Sequence, residues 1–114
     1  MTWDEAVAYA LTLPGTELAT SYGKPAVKVA ANGRAFLVTS HATDTSFGLA
    51  IGIDAVDLLM ATEPNTYWQT PHYEGYPMVL VRYVAKDEER VADTIRRSRD
   101  WTAGLAKARP RKRK

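Results

Sequence analysis

The sequence predicts an α+β fold, a two-layer sandwich in which helices cover one face of an antiparallel sheet. Three observations carry this expectation. Apolar residues alternate with period two in short runs over 26–39 and 46–51, and a β-branched run follows at 78–84. Helical spacing with capping residues marks 2–13, 55–62 and 88–106. Helices and strands come in groups, which favours helices on one side of an antiparallel sheet with the other side partly solvated.

Thr2 and Glu5 form a T-x-x-E capping box, and Trp3, Val7, Ala10 and Leu11 share one helical face, so 2–13 reads as a helix that Pro14-Gly15 stops. Residues 16–25 read as a connection. Ala26–Ala31 and Arg34–Thr39 flank Asn32-Gly33, the preferred pair for a two-residue type I′ hairpin turn. That register sets Val29 opposite Phe36 and Val27 opposite Val38, all four expected in the core. Residues 40–45 read as a polar loop. Phe47, Leu49 and Ile51 line one side of a third strand. Asp54 is the expected cap of a helix over 55–62, which Glu63-Pro64 ends. Residues 66–69 read as a short extended segment, 70–77 as a loop rich in aromatics and proline, and 78–84 as a strand. Asp87 caps a last helix over 88–106, with Glu88 and Glu89 in the turn where the helix dipole favours them. Its apolar stripe is Val91, Ile95, Ser98, Trp101, Thr102 and Leu105.

At 114 residues the chain is expected to be one domain over 1–106 followed by a disordered basic tail over 107–114. Cysteine is absent, which excludes disulfides and thiolate chemistry and suits a reducing compartment. No apolar run approaches a membrane span, and Asp4 and Glu5 interrupt any secretory signal, so a cytoplasmic protein without a membrane partner is expected. The net charge of +2 hides a division. The tail KARPRKRK holds six basic residues, while 1–106 carries nine basic against all 13 acidic residues, a net −4.

Two segments stand out as motifs. One is Leu13-Pro14-Gly15 followed by Ser21-Tyr22-Gly23-Lys24-Pro25-Ala26-Val27-Lys28-Val29. The other is Thr70-Pro71-His72-Tyr73-Glu74-Gly75-Tyr76-Pro77-Met78-Val79-Leu80-Val81. In order and spacing both resemble the MmcQ/YjbR-like family, a chiefly bacterial group, over about residues 3–103; Val27 stands where the family pattern is usually aromatic. The resemblance implies a frataxin-like (CyaY-like) fold described as a double-wing arrangement. It also implies DNA binding, a label that itself rests on fold comparison, and it supplies no catalytic residues.

The residues leave each candidate two readings. Lys24, Lys28 and Arg34 make the first hairpin either a basic wing for phosphates or a solvated strand face. Tyr22, Thr70, His72, Tyr73 and Tyr76 form either a stacking or ligand loop or a loop pinned by Pro71 and Pro77 for structural ends. Lys107, Arg109, Arg111, Lys112, Arg113 and Lys114 bind nucleic acid through counterion release or are a solvated terminus. His72 and His41 stand 31 residues apart without clustered acids, so no metal is expected. Ser40-His41 is no triad, Gly48–Gly52 lacks the spacing of a phosphate loop, and Asp54, Asp57, Glu88 and Glu89 serve helix starts. No catalytic residue and no cofactor is therefore expected. The sequence points to a monomeric DNA-binding domain, weak and largely indifferent to sequence; the alternative is a protein- or small-ligand-binding domain that uses the aromatic loop.

Overall fold

The computed structural model describes residues 1–40 and 42–108. These form helices α1 (Trp3–Thr12), α2 (Ile53–Thr62) and α3 (Glu88–Ala103) and strands β1 (Thr16–Ser21), β2 (Lys24–Val29), β3 (Arg34–Thr39), β4 (Ser46–Ala50), β5 (Tyr67–Trp68) and β6 (Met78–Arg82). A short 3-10 turn spans Pro71–Tyr73. The strands make one antiparallel sheet in the order β1-β2-β3-β4-β6-β5, against which the helices pack, as the α+β reading predicts.

One sheet face supplies the core. Val27, Leu37, Leu49 and Val79 lie in register across four strands, and Phe47, Val81 and Tyr67 form a parallel row. They meet Ala6 and Ala10 of α1, Val56 and Leu59 of α2, and Val91 and Ile95 of α3. Each large side chain buried here contributes about 1.5–3 kcal/mol relative to exposure. The Thr2–Glu5 capping box is present at α1. Tyr67 carries the one polar tip of these rows, and its Oη lies 2.6 Å from Thr94 Oγ1 inside the core.

The sequence reading needs correction at five places. Residues 16–21 are not connection but β1, paired along its whole length with β2. Its exposure pattern shows why no strand was legible: as an edge strand it buries almost nothing. The turn after β2 is not a two-residue type I′ turn. Val29 pairs with Arg34, so Ala30–Gly33 form a four-residue turn in which only Gly33 has a positive φ, 71°. A bulge follows, so that Val27 faces Leu37 rather than Val38. Val29 and Phe36 still enter the core, while Val38 pairs with Ala26 on the other face and stays half-buried. Helix α2 starts two residues early, with Gly52 rather than Asp54 at its N-cap. Helix α3 ends at Ala103.

The rest of the chain's end is tied down by that four-residue turn. Asn32 Nδ2 donates to Thr102 O at 2.8 Å and lies 3.2 Å from Leu105 O, and its Oδ1 accepts from Arg34 N. Ala108 N donates to Asn32 O at 2.8 Å. These bonds satisfy carbonyls that the end of a helix leaves without partners, and they hold the described chain against the β2–β3 turn up to its last residue.

Candidate nucleic-acid interface

The second sheet face carries Ala26, Val38, Gly48 and Leu80 in one row. Ala26 and Leu80 are nevertheless fully buried. A Cβ on Gly48 would stand 3.0 Å from Val38 Cγ2 and 3.2 Å from Met78 Sδ, so this floor has no spare room. Over it folds the 69–78 loop. Gln69 organises that loop: its Nε2 lies 2.7 Å from Met78 O, 3.1 Å from Tyr73 O and 3.3 Å from Tyr76 O, two hydrogens shared among three carbonyls. Pro71 opens the 3-10 turn at a position where its missing N–H costs nothing.

Between this loop and the β1–β2 turn lie two adjoining depressions, of about 450 Å³ and about 970 Å³. Tyr22, His72 and Tyr73 line both. The two sequence motifs, some 50 residues apart, thus meet at one place, as sheet order requires: β2 and β6 are separated only by β3 and β4. The His72 and Tyr73 rings meet edge to face at 4.9 Å. Tyr76 lines the larger depression and is 61% exposed; Tyr22 is 86% exposed.

Tyr22 has a further peculiarity. The β1–β2 turn is the true two-residue turn with both φ values positive, 53° at Tyr22 and 78° at Gly23. Asn, Asp or Gly normally fills the first of these positions, and a side chain like Tyr costs about 1–2 kcal/mol there. Backbone strain of this kind gathers at functional sites.

The basic candidates separate. Lys24 lines the smaller depression, Lys28 and Arg34 the larger. Arg34 is partly occupied by the fold, because its Nε donates to Ala106 O at 2.7 Å. The turn between β2 and β3 is therefore bonded to the end of α3 and does not project as a wing tip. Lys107 is exposed beside this clasp. Arg109, Arg111, Lys112, Arg113, Lys114 and His41 lie outside the described residues. Thr70 is not among the lining residues; its Oγ1 is shielded from solvent with no hydrogen-bond partner among the described residues. Arg82 sits 4.8 Å from the Trp68 ring centroid and donates to Pro64 O, so its charge is spent away from the site.

The charge of the walls is one-sided. Among the described residues, no Asp or Glu lines either depression. Ten of the 13 acids belong to the helices or their caps, on the opposite layer; the others are Glu17, Asp44 and Glu74. Glu17 is the cross-strand partner of Lys28, and Glu74 lies in the aromatic loop between Tyr73 and Tyr76. On the helix layer Arg90 pairs with Glu63, and Arg96 with Asp93 and Asp100. No group of three His, Asp or Glu side chains among the described residues could hold a metal ion.

Sequence reasoning missed Gln69, whose role is to gather carbonyls of its own loop, and Trp101. Trp101 sits in the apolar stripe of α3 yet lines the larger depression from the α3 end, with Nε1 close over Gly52. Nothing in the spacing of the stripe distinguishes it from its core-facing neighbours.

Comparison with known proteins adds a short match. A stretch of 24 residues is 62% identical to uncharacterized proteins of Mycobacterium bovis and Mycobacterium tuberculosis, covering 21% of this chain and 19% of theirs. The match thus spans about a fifth of the length of these curated relatives. No family model and no solved structure matches the chain.

Proposed function

We propose that this domain binds DNA, weakly and with little sequence preference, across the sheet face that carries the aromatic loop. The observation that carries this reading is the lining of the two depressions: Lys24, Lys28 and Arg34 with tyrosines and no carboxylate, on a domain whose acids are otherwise concentrated on the helix layer. Such a surface suits phosphates, while the tyrosines suit bases. The six cations of 107–114 add charge for phosphates, and Ala108, whose N–H donates to Asn32 O, lines the larger depression with Arg34. Resemblance to the MmcQ/YjbR-like family agrees with this reading, and the proposal extends to a cytoplasmic monomer without a cofactor or catalytic role.

The test is salt-dependent binding of labelled DNA. A dissociation constant of about 10⁻⁴–10⁻⁶ M is expected near physiological salt, with log K falling against log salt by a slope of up to about −5 on duplex if all six tail cations meet phosphates. Removing 107–114 is expected to abolish most of the duplex affinity and flatten the slope. Lys28→Glu in the shortened chain is expected to weaken what remains. Absence of salt-dependent binding at about 50 mM salt refutes the proposal. The second reading, a small-ligand or protein site, then takes its place; the smaller depression, at about 450 Å³, is within the range of ligand pockets.

A further inference from the structure

Resting on the nucleic-acid reading, we infer that the sheet face takes a single strand with its bases unstacked, not a duplex. Three features of the described residues lead there.

The first is which groups project. A duplex hides its bases and presents phosphates, so it is gripped by protruding cations. Here the protruding groups are aromatic: Tyr22 and Tyr76, 86% and 61% exposed. Of the cations, Lys24 is exposed next to Tyr22, while Lys28 is half-buried and the Arg34 Nε is bonded to Ala106 O. Two of the three cations are thus held back while the rings project, an arrangement better placed for a flexible strand than for a rigid cylinder.

The second is the β2–β3 hairpin. A wing inserts its tip into a groove of the duplex. This tip is clasped to α3 through Asn32, with Nδ2 at 2.8 Å from Thr102 O. The turn that does project, Tyr22-Gly23, offers a ring to a base and no charge of its own.

The third is strain at Tyr22. A φ of 53° disfavours a tyrosine, and the side chain is mostly exposed to solvent, so hydrophobic burial is not what retains it. A base stacked on the exposed ring would give the strained position a use. Base–aromatic stacking tolerates any sequence, because every base offers a π-face. Tyr22 and Tyr73 line the same depressions, with Lys24 and Lys28 on the same walls for phosphates.

The experiment compares two labelled probes on the full chain by fluorescence anisotropy. One is an oligothymidine of about 12 nucleotides; the other is a duplex carrying about the same number of phosphates, both at about 50 mM salt. The single strand is expected to bind about tenfold tighter or more. Tyr22→Asn, which suits the positive φ, and Tyr76→Ser, at an exposed site, keep the fold intact, as circular dichroism checks. Each is expected to lower single-strand affinity by about 5- to 150-fold, as loss of one stack does, and to leave duplex affinity within about twofold. Duplex bound as tightly as the single strand, or both probes weakened alike by the substitutions, overturns the single-strand inference and leaves DNA binding standing. Binding of neither probe overturns both.

Discussion

At one end of β2 the chain turns through Tyr22-Gly23, and at the other through Ala30–Gly33. The two turns share a strand and a sheet, yet they serve opposite ends. The Asn32 side chain is buried and reaches across to the last carbonyls of α3. The Tyr22 side chain is 86% exposed at the margin of a basic recess. Both turns contain a residue whose type the local backbone alone does not explain. Asn32 has an ordinary negative φ although Asn-Gly is the pair expected for positive ones; it is retained for what its amide does about 70 residues away in sequence. Tyr22 has the positive φ that Asn-Gly would suit. A turn that closes the fold and a turn whose side chain stays exposed are thus distinguished by where the side chain goes, not by turn propensity.

The largest expected effect breaks the closed turn. Asn32→Ala leaves Thr102 O and Leu105 O without their shared donor and Arg34 N without an acceptor, costing about 2–3 kcal/mol in urea unfolding. Asn32→Asp is expected to be at least as harmful despite its similar shape. It loses the donor and sets a carboxylate against carbonyls at a helix C-terminus, the negative end of the dipole. If Asp is tolerated better than Ala, the amide is not the clasp. Gly33→Ala comes next, at about 1–2 kcal/mol, because φ is 71° while Ala108 Cβ, at 3.8 Å, leaves room for the added methyl. This cost is backbone conformation alone, so Gly33→Asn should recover much of it.

A second contrast sets Tyr22 against Tyr67. Tyr67 is buried with its hydroxyl on Thr94, and burial, partly opposed by that hydrogen bond, raises its pKa above the usual 10.0. The folded state therefore holds a proton that the unfolded chain releases. Stability from this group is complete below about pH 10 and declines as pH rises beyond it. Tyr67→Phe is expected to lower stability at neutral pH by about 0.5–1.5 kcal/mol, the worth of one hydrogen bond, and to remove part of the alkaline decline. Tyr83, whose pKa burial also raises, contributes to what remains. An alkaline limb of unchanged steepness in Tyr67→Phe would show that other groups carry it.

The same contrasts explain what the sequence makes legible. The core face was open to reading because burial on one side imposes a period of two: Val27 and Val29, Phe47 and Leu49 follow it without knowledge of any partner strand. β1 carries no such imprint, since Thr16–Ser21 lies at a sheet edge, and only its pairing with β2 makes it a strand. The Asn32-Gly33 signal was real as a turn and wrong as a type, because the deciding bond is to α3 and lies beyond any local window. At the site, the motif segments 21–25 and 70–77 were visible as unusual sequence. Their meeting follows from strand order, which alternation does not encode. Trp101 and Gln69 were illegible for a simpler reason: a tryptophan in an apolar stripe and a glutamine beside a loop look alike whether or not they shape a recess.

The smallest expected effect on stability is the sharpest on the comparison. Tyr22→Asn removes an exposed ring and installs the residue that the φ of 53° favours. Were Tyr22 retained for folding, the substitution would destabilise, as Asn32→Ala does at the other end of the strand. If it is retained for a ligand, the substitution should leave stability unchanged or raise it by up to about 1 kcal/mol, since relieving positive-φ strain offsets the little burial the ring provides. Urea unfolding of the two single variants and their double reads this directly. The turns sit at opposite ends of the six-residue strand β2, so their effects should add within about 0.5 kcal/mol. A loss of more than about 1 kcal/mol in Tyr22→Asn would place that tyrosine in the fold's own support, and the strain argument for a stacking role would fall with it.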